Sequence, residues 1–212
     1  MSYQLFYSDR SAAQGVRVIL EELGQTYELI EVDIKSSGPR SPELLAVNPN
    51  GLVPVLVSEE GPIYECGAIF TFLCDRHSEF ELAPRTGDRH RGLFLQWLFF
   101  FSSSLQNAFS MTYRANRFSA VESGYPGVEQ QGCKRLTSLW QIVDEAIGQK
   151  PWLLGESFSA VDIYLFMLTT WLRPSRGHPT VSEFPNVERI ARSVLPRDSI
   201  QLVYENWIAD NS

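Results

Sequence analysis

Residues 48–69, NPNGLVPVLVSEEGPIYECGAI, decide the fold of the first part of this chain. A proline has no N–H to give to a β-ladder, so Pro54 can stand only at the start of a strand within its apolar run. The segment 48–51, Asn-Pro-Asn-Gly, is typical of the tight loop that would lead into that strand. A second short strand is predicted at 62–64, and the tight connection at 59–61 makes the two strands an antiparallel hairpin.

The ends of this hairpin carry two features that suit a ligand. A cis peptide bond is cheap before proline, about 0.5–1 kcal/mol above trans. A cis Val53–Pro54 bond would turn the Val53 N–H and C=O outward, where they could pair with an extended ligand as with a neighbouring strand. The helix predicted at 66–77 begins just after Glu65, and a helix start offers unpaired N–H groups that favour a carboxylate. The stretch therefore predicts a strand-like edge beside an anion-binding helix start.

The residues before this stretch predict a strand–helix–strand unit. Tyr3–Tyr7 is a short aromatic strand, 13–23 has apolar residues at helical spacing, and 27–34 alternates as a second strand. Such a unit joins two parallel strands by a right-handed crossover. With the hairpin and its helix, the order is βαβ followed by ββα, which predicts a mixed sheet with helices on both sides.

The residues after the stretch predict only helices. Residues 81–88 include a proline and a glycine and are typical of a linker, and no convincing strand follows them. A capping box is expected at Ser159–Asp162, just before an apolar run, which gives Asp162 a structural role. The remaining helices are predicted at 89–117, 128–148, 163–172, 186–195 and 198–209.

Composition and charge exclude several classes of function. The chain has 212 residues and a net charge of −7, and residues 1–80 hold five basic against twelve acidic side chains. This balance argues against a nucleic-acid or anionic-membrane partner for the first part. We find no signal peptide and no apolar window long enough to cross a membrane. The three cysteines, Cys66, Cys74 and Cys133, lack metal spacing, so we assign no metal and expect a cytoplasmic protein.

Over essentially its whole length the chain resembles the cytosolic glutathione S-transferases. The Val53-Pro54 junction looks like theirs, and Glu65-Cys66 stands where that family has Glu-Ser or Asp-Ser. The runs 152–155, WLLG, and 158–162, FSAVD, resemble the family's buried capping box. Residues 95–97 and 184–186 resemble segments that are common in bacterial and fungal members of the family.

The resemblance implies a fold and a domain division. A thioredoxin-like βαβ-ββα domain that binds glutathione would span 1–80, and 81–88 would be the linker. An all-helical bundle domain, which contributes the apolar co-substrate site, would span 89–212. A homodimer is implied as well.

The resemblance also implies how glutathione is held. Val53 would pair its backbone with the cysteinyl part, and Pro54 would be cis. Glu65 would face the γ-glutamyl amine, while the backbone N–H of Cys66 would face the γ-glutamyl carboxylate. A thiol is a weaker donor than the family's serine hydroxyl, so one hydrogen bond is weakened or lost at Cys66.

Position 52 is a second departure from the family pattern. The family often has Lys or Gln there, next to the glycyl carboxylate, and the side chain of Leu52 cannot serve. Lys35 and Arg40 are the candidates to replace it.

Two hydroxyls compete to stabilise the glutathione thiolate. A free thiol has a pKa of about 8.5, and only the thiolate attacks, so a donated hydrogen bond favours catalysis. Ser11 stands where the serine-type members have their hydroxyl, and Tyr7 where the tyrosine-type members have theirs. The position of the cysteine-type members is Ala12, which argues against a mixed-disulfide mechanism. We favour Ser11, because serine-type members also carry an aromatic residue at position 7 without using it; the alternative role of Ser11 is a helix N-cap.

The expected reaction is addition of glutathione to a small apolar electrophile, or substitution on it, typical of detoxification. Phe109, Tyr113 and Trp171 are the candidates to line the co-substrate pocket. Alternatives on the same fold are a glutathione-dependent isomerase, an ether-cleaving enzyme or a peroxidase. A non-catalytic binding or regulatory protein is a further alternative, which Leu52 and Cys66 favour because both weaken the ligand site.

Overall fold

The computed structural model describes residues 2–36 and 38–211. Met1, Ser37 and Ser212, which the predicted domain ranges include, lie outside the described residues. The chain divides into two compact units: one runs up to Thr86 and takes in the chain from Pro196 onwards, and the other is Gly87–Leu195. Within the described part of the chain, no helix is both long and apolar enough to traverse a bilayer.

The first unit contains a four-stranded mixed sheet in the order β2-β1-β3-β4. Its strands are β1 (Tyr3–Tyr7), β2 (Tyr27–Glu31), β3 (Val55–Ser58) and β4 (Gly61–Tyr64). β1 pairs parallel to β2 and antiparallel to β3, and β3 pairs antiparallel to β4. The sheet has the predicted βαβ-ββα order, with β3 beginning directly after Pro54.

Two helices connect these strands, α1 (Ala13–Glu22) between β1 and β2 and α2 (Pro42–Val47) between β2 and β3, and α3 (Cys66–Arg76) follows β4. Ser41 caps α2, since its side chain accepts a hydrogen bond from the Leu44 N–H, and Pro42 occupies the first turn, where a missing N–H costs nothing. Leu44 is fully buried and packs with the strand residues Phe6 and Val55 in one apolar cluster.

The second unit is helical. Its helices are α4 (Arg91–Phe99), α5 (Gln106–Tyr113), α6 (Tyr125–Ile147), α7 (Ala160–Thr169) and α8 (Pro185–Val194). The single helix predicted at 89–117 is interrupted by a π-helical segment, Phe100–Leu105. The hydroxyls of Ser102 and Ser103 both donate to the Phe99 carbonyl, at 3.3 and 2.6 Å, and such bonds compete with the regular backbone ladder.

The predicted capping box is present at the start of α7. Asp162 is fully buried; it accepts hydrogen bonds from the backbone N–H groups of Leu153 and Ser159, both at 2.9 Å, and from the Ser159 hydroxyl at 3.1 Å. Burial raises the pKa of Asp162 to about 6, although these hydrogen bonds act in the opposite direction. The carboxyl group therefore ties the 152–155 turn to the helix start.

A second buried carboxylate, that of Asp144, binds the start of α8 next to the segment 184–186. Asp144 of α6 accepts hydrogen bonds from the backbone N–H groups of Asn186, at 2.7 Å, and Val187, at 3.0 Å. These N–H groups belong to the first turn of α8 and have no partner within the helix. Asp144 thus caps a helix that lies more than forty positions further along the chain.

The last two helices, α9 (Asp198–Val203) and α10 (Glu205–Asn211), belong to the first unit. This differs from the predicted range 89–212 for the helical domain, because partly buried polar contacts with α1 hold the chain from Pro196 onwards. Arg197 donates to both carboxylate oxygens of Glu22, at 2.8 and 2.6 Å, and the Ser199 hydroxyl donates at 2.5 Å. Although burial acts to raise it, these hydrogen bonds hold the pKa of Glu22 below its ordinary value.

Candidate functional site

The loop before β3 is organised by one buried side chain. Asn48 is 3% exposed; its carbonyl oxygen accepts from the Asn50 N–H at 3.1 Å, and its amide donates to the Leu52 carbonyl at 2.9 Å. Gly51 adopts a φ of +62°, which glycine allows without steric cost. The Val53–Pro54 peptide bond that follows is cis, as predicted.

Val53 presents an open backbone edge. β3 begins two residues later, where Val55 pairs with Phe6 on one side and Tyr64 on the other. Within residues 2–36 and 38–211, no hydrogen bond uses the N–H or C=O of Val53. An extended ligand can therefore pair with Val53 as a further strand would.

Of the two basic candidates near this loop, Arg40 lies against it. Its guanidinium donates to the carbonyls of Ile34, at 3.0 Å, and Ser36, at 3.2 Å. A Cβ on Gly51 would lie 2.7 Å from Arg40 Cγ, so this side chain passes directly over the residue before Leu52. Lys35 is exposed on the same connection.

The start of α3 is the second part of the site. Glu65 has a φ of +74°, a left-handed conformation that is strained for a residue other than glycine. Strain of this kind costs about 1–3 kcal/mol and is concentrated at functional sites. The carboxylate of Glu65 is exposed, and the first N–H groups of the helix follow it directly.

The Cys66 thiol points inward and joins two helix starts. It is not in a disulfide, is 4% exposed, and its Sγ donates to the Ala12 carbonyl at 3.8 Å. Ala12 lies between Ser11, the predicted catalytic serine, and the first residue of α1. The contact with Cys66 therefore places the start of α3 close to Ser11.

The Ser11 hydroxyl is buried at the start of α1. It donates to the Ser8 carbonyl at 2.6 Å and accepts from the Ala13 N–H at 3.2 Å. The bond from Ala13 gives a first-turn N–H of α1 an acceptor, as in the alternative role, although Ala12 rather than Ser11 stands directly before the helix. A serine hydroxyl has a single proton to donate, so it must turn away from Ser8 in order to donate to a thiolate.

Tyr7 lies in different surroundings. Its hydroxyl donates to Asp9 at 3.4 Å, and burial, followed by the charge of Asp9, raises the pKa of Tyr7. The ring lines a cleft together with Arg17 and Trp207, and neither Val53 nor Cys66 belongs to the lining of that cleft.

The three residues predicted for the co-substrate pocket lie together in the second unit. The ring of Phe109 is 6.4 Å from that of Tyr113 and 5.5 Å from that of Trp171, measured between centroids. The Tyr113 hydroxyl donates to the Trp171 carbonyl at 2.6 Å. Phe109 is 1% exposed and supports the cluster from within, whereas Tyr113 is 40% exposed and has the Arg176 guanidinium carbon 5.0 Å from its ring centroid.

His178 completes this aromatic cluster, and the sequence reasoning did not place it there. Its ring lies 5.3 Å from that of Tyr113 and 5.8 Å from that of Phe109, and its Nδ1 accepts from the Arg173 N–H at 3.2 Å. Burial, followed by the charges of Arg176 and Arg173, lowers the pKa of His178 to about 4. A lone histidine in a loop carries no sequence signal for such a position.

We predict that protonation of His178 destabilises the protein in acid. A histidine whose pKa is about 6.5 when unfolded and about 4 when folded favours the folded state above pH 6.5, and this stability is lost as the pH falls toward 4. The loss at pH 4.5 is expected to be about 2–3 kcal/mol relative to pH 7.5. Urea unfolding of wild type and His178→Gln at both pH values gives the loss of unfolding free energy for each protein. The contribution of His178 is the loss in wild type minus the loss in His178→Gln.

The matched control for this prediction is His90→Gln, since the side chain of His90 is 45% exposed. This variant should keep the wild-type dependence on pH. Parallel pH curves for wild type and His178→Gln would contradict the assignment.

No three or more His, Cys, Asp or Glu side chains are grouped to hold a metal in the part of the chain that the structure describes. The first unit instead carries a backbone edge at Val53 and a helix start at Cys66, and the contact between Cys66 and Ala12 places Ser11 near that helix start. A backbone edge and a helix start can bind an extended anionic peptide.

Two family descriptions match the chain. Residues 5–81 match the N-terminal domain of glutathione S-transferases, and residues 114–192 match their C-terminal domain.

Curated relatives and solved structures agree with these matches. Glutathione S-transferase GstA of Escherichia coli O157:H7 is 29% identical over 170 residues, covering 79% of this chain and 81% of its own length. Disulfide-bond oxidoreductase YfcG of Escherichia coli K12 is 27% identical over 177 residues, covering 80% of each. A glutathione transferase homologue from Sulfitobacter, solved with bound glutathione, superposes with a TM-score of 0.87 at 23% identity over 97% of this chain and 98% of its own. BphK, a bacterial glutathione S-transferase solved as a ternary complex, gives 0.80 at 28% identity over 96% and 98%.

Proposed function

The chain belongs to the glutathione S-transferase family, and from that premise we propose that it binds glutathione on its first unit and activates the thiol for attack on a small apolar electrophile. The observation that carries the proposal is the unpaired backbone of Val53. It offers an N–H and a C=O to an extended peptide, in the same unit as a helix start that offers N–H groups to a carboxylate.

The γ-glutamyl end of glutathione carries both an amine and a carboxylate, and the start of α3 has a group for each. The exposed Glu65 carboxylate pairs with the amine, and the backbone N–H of Cys66 donates to the carboxylate. The left-handed backbone of Glu65 supports this role, because a strained residue persists where its surroundings demand it. Structural neighbours from Sulfitobacter and Phanerochaete chrysosporium were solved with glutathione or its oxidised form.

The glycyl carboxylate is assigned to Arg40. Leu52 has no polar side-chain group, and Lys35 is exposed. Arg40 already crosses Gly51, and its guanidinium has five N–H donors, of which the Ile34 and Ser36 carbonyls use only part.

The chemistry requires a glutathione thiolate. In the proposed mechanism the thiol proton leaves to solvent, and the Ser11 hydroxyl exchanges its hydrogen bond to Ser8 for one to the sulfur. The thiolate then forms a bond to the electrophilic carbon, and either a leaving group departs or a proton adds. Ser11 is favoured over Tyr7 because Ser11 adjoins Ala12, which contacts Cys66, whereas Tyr7 faces the cleft with Arg17.

The electrophile is proposed to bind against the aromatic cluster of the second unit, where Tyr113 is exposed beside Phe109 and Trp171. A homodimer and a cytoplasmic location are part of the same proposal. Product analysis distinguishes transfer from isomerisation, since an isomerase regenerates free glutathione.

Calorimetric titration with glutathione tests the proposal. Saturable binding of one glutathione per chain is expected. If no saturable binding is found up to several millimolar glutathione, the proposed enzyme activity is contradicted. The remaining interpretation is then a non-catalytic binding or regulatory protein, the alternative that Leu52 and Cys66 favour.

Cys66→Ser is expected to tighten glutathione binding by about 0.5–1.5 kcal/mol, which is the value of one ordinary hydrogen bond. A hydroxyl is a stronger donor than a thiol, and the gain requires that the serine side chain turn from the Ala12 carbonyl, which the thiol contacts, toward the γ-glutamyl group. Calorimetry of the two proteins with glutathione measures the change.

Cys74→Ser, which replaces a buried thiol further along α3, is the matched control and should leave glutathione affinity unchanged. Weaker binding by Cys66→Ser would mean that the thiol is adapted to its contact with Ala12.

A further inference from the structure

The loop that carries Ser11 is short and is fixed at both ends. Before it, Tyr7 is held in the sheet by pairing with Glu31, and after it α1 begins at Ala13. A change of backbone conformation inside the loop must therefore be absorbed by residues 8–12 themselves. The direction of the Ser11 hydroxyl depends on the conformation of its neighbours in this loop.

Arg10, the residue before Ser11, has a φ of +55°, in the left-handed region. This region is unfavourable for a residue that carries a Cβ, and such a conformation persists where the surrounding contacts hold it. One contact lies within the loop, since the Ser11 hydroxyl donates to the Ser8 carbonyl at 2.6 Å and closes the turn across Arg10. A further restraint comes from the side chain of Arg10.

The Arg10 guanidinium binds a carboxylate from the other end of the chain. It donates from Nη2 to Asp210 Oδ2 at 2.6 Å, and its Nε lies 3.6 Å from Asp9 Oδ2. Asp210 stands on α10, 200 positions further along the chain. Among the described residues, Asp210 is the one carboxylate from outside the loop that pairs with Arg10.

The segment that carries Asp210 is anchored on the first unit by other contacts. Arg197 donates to both carboxylate oxygens of Glu22 on α1, at 2.8 and 2.6 Å. Trp207 of α10 lines one cleft together with Tyr7, at the end of β1. Because these contacts hold the segment without the ion pair, Asp210 can restrain the loop instead of following it.

We propose that Asp210 is a positioning residue for Ser11, which acts by holding Arg10 in its left-handed conformation. This inference rests on the proposed function, in which the Ser11 hydroxyl donates to the glutathione thiolate. The side chains of Arg10 and Asp210 are 50% and 58% exposed, and an ion pair of this kind is a weak restraint that salt screens. Its loss should shift the equilibrium between the held and the released loop by about two- to fivefold.

Hydrogen exchange of the full-length protein tests the positioning without reference to activity. The N–H groups of Ala13 and Gln14 donate to the Ser11 hydroxyl and carbonyl, at 3.2 and 3.1 Å, so they exchange when the loop opens. Asp210→Ala should speed exchange in the segment 8–14 by about two- to fivefold and leave the segment 48–66 at the wild-type rate. Unchanged exchange at 8–14, or an equal increase in both segments, would overturn the proposal.

Three further variants separate the ion pair from a general effect of charge. Glu205→Ala removes an exposed carboxylate of the same helix that does not pair with Arg10, and it should keep the wild-type rate at 8–14. Asp210→Glu keeps the charge and should stay close to wild type. In an Arg10→Ala background, Asp210→Ala should have no additional effect. An equal effect of Asp210→Ala with and without the arginine would refute the pairing.

Kinetics then connects the loop to the proposed reaction. Asp210→Ala should lower kcat/KM for conjugation by about two- to fivefold and raise the pKa of the bound glutathione thiol. Glutathione affinity should stay unchanged, because Asp210 pairs with Arg10 and not with Val53 or the start of α3. Weaker glutathione binding with an unchanged thiol pKa would contradict the positioning role. If the wild type neither binds nor conjugates glutathione, the proposed function is wrong, and hydrogen exchange still decides whether Asp210 holds the loop.

Discussion

Asp162→Ala is expected to lower the free energy of unfolding by about 2–6 kcal/mol. The substitution leaves the N–H groups of Leu153 and Ser159 buried without acceptors, and each such group costs about 1–3 kcal/mol. The Ser159 hydroxyl also loses its partner. Because the carboxyl group joins the 152–155 turn to α7, the cost should appear in the cooperative unfolding of the protein.

Urea unfolding at pH 7.5 measures this loss, with Asp198→Ala as the matched control. Asp198 also stands in the first turn of a helix but is exposed, so its removal should cost no more than about 1 kcal/mol. Asp162→Asn keeps one acceptor oxygen and should fall between the wild type and the alanine variant. Equal effects of Asp162→Ala and Asp198→Ala would show that the buried hydrogen bonds do not support the fold.

Ser11→Ala is expected to lower kcat/KM for glutathione conjugation by about 10²–10³-fold, the usual cost of removing a donor that stabilises developing or full negative charge. Glutathione affinity should change little, because the binding groups are the backbone of Val53 and the start of α3. The pKa of the bound thiol should rise, which the ultraviolet absorbance of the thiolate reports as a function of pH.

Tyr7→Phe is the comparison that decides between the two hydroxyls, and it should keep activity within a few-fold of wild type. Ser8→Ala is the matched control for Ser11→Ala. It removes a neighbouring buried hydroxyl and leaves in place the Ser8 carbonyl that accepts from Ser11. Since the Ser11 hydroxyl also accepts from the Ala13 N–H in the first turn of α1, its variant is expected to lose about 1 kcal/mol of stability, and activity must be compared well below the unfolding transition. Full activity in Ser11→Ala with a large loss in Tyr7→Phe would reverse the assignment.

The hairpin and the α7 start show what local rules predict. The missing N–H of Pro54 fixed where β3 begins, and the spacing of Ser159 and Asp162 fixed the capping box. Both features depend on residues that are neighbours in sequence. The π-helical segment at 100–105 was missed, because its apolar spacing alone does not distinguish it from a regular helix.

The candidate site was predictable only in part. The residue types at positions 53, 65 and 66 pointed to a backbone edge and a helix start. The contacts of Ser11 with Ser8 and Ala13 are local, but the surroundings of Tyr7 were not predictable, because Trp207, which lines the same cleft, is about two hundred residues away in sequence. The position of His178 in an aromatic cluster was hidden for the same reason.

By itself, the sequence determined the order of strands and helices, the hairpin, the capping box and the positions at which glutathione is proposed to bind. The signals for these features are the missing N–H of proline, the alternation of apolar and polar residues and the residue types at helix starts, and each acts over a few residues. Only the tertiary structure decided that the chain from Pro196 packs on the first unit, through Arg197 and Glu22, and that Tyr7 and Arg17 share a cleft with Trp207. These contacts join residues that are far apart along the chain, and their pairing depends on burial and geometry that no local pattern encodes.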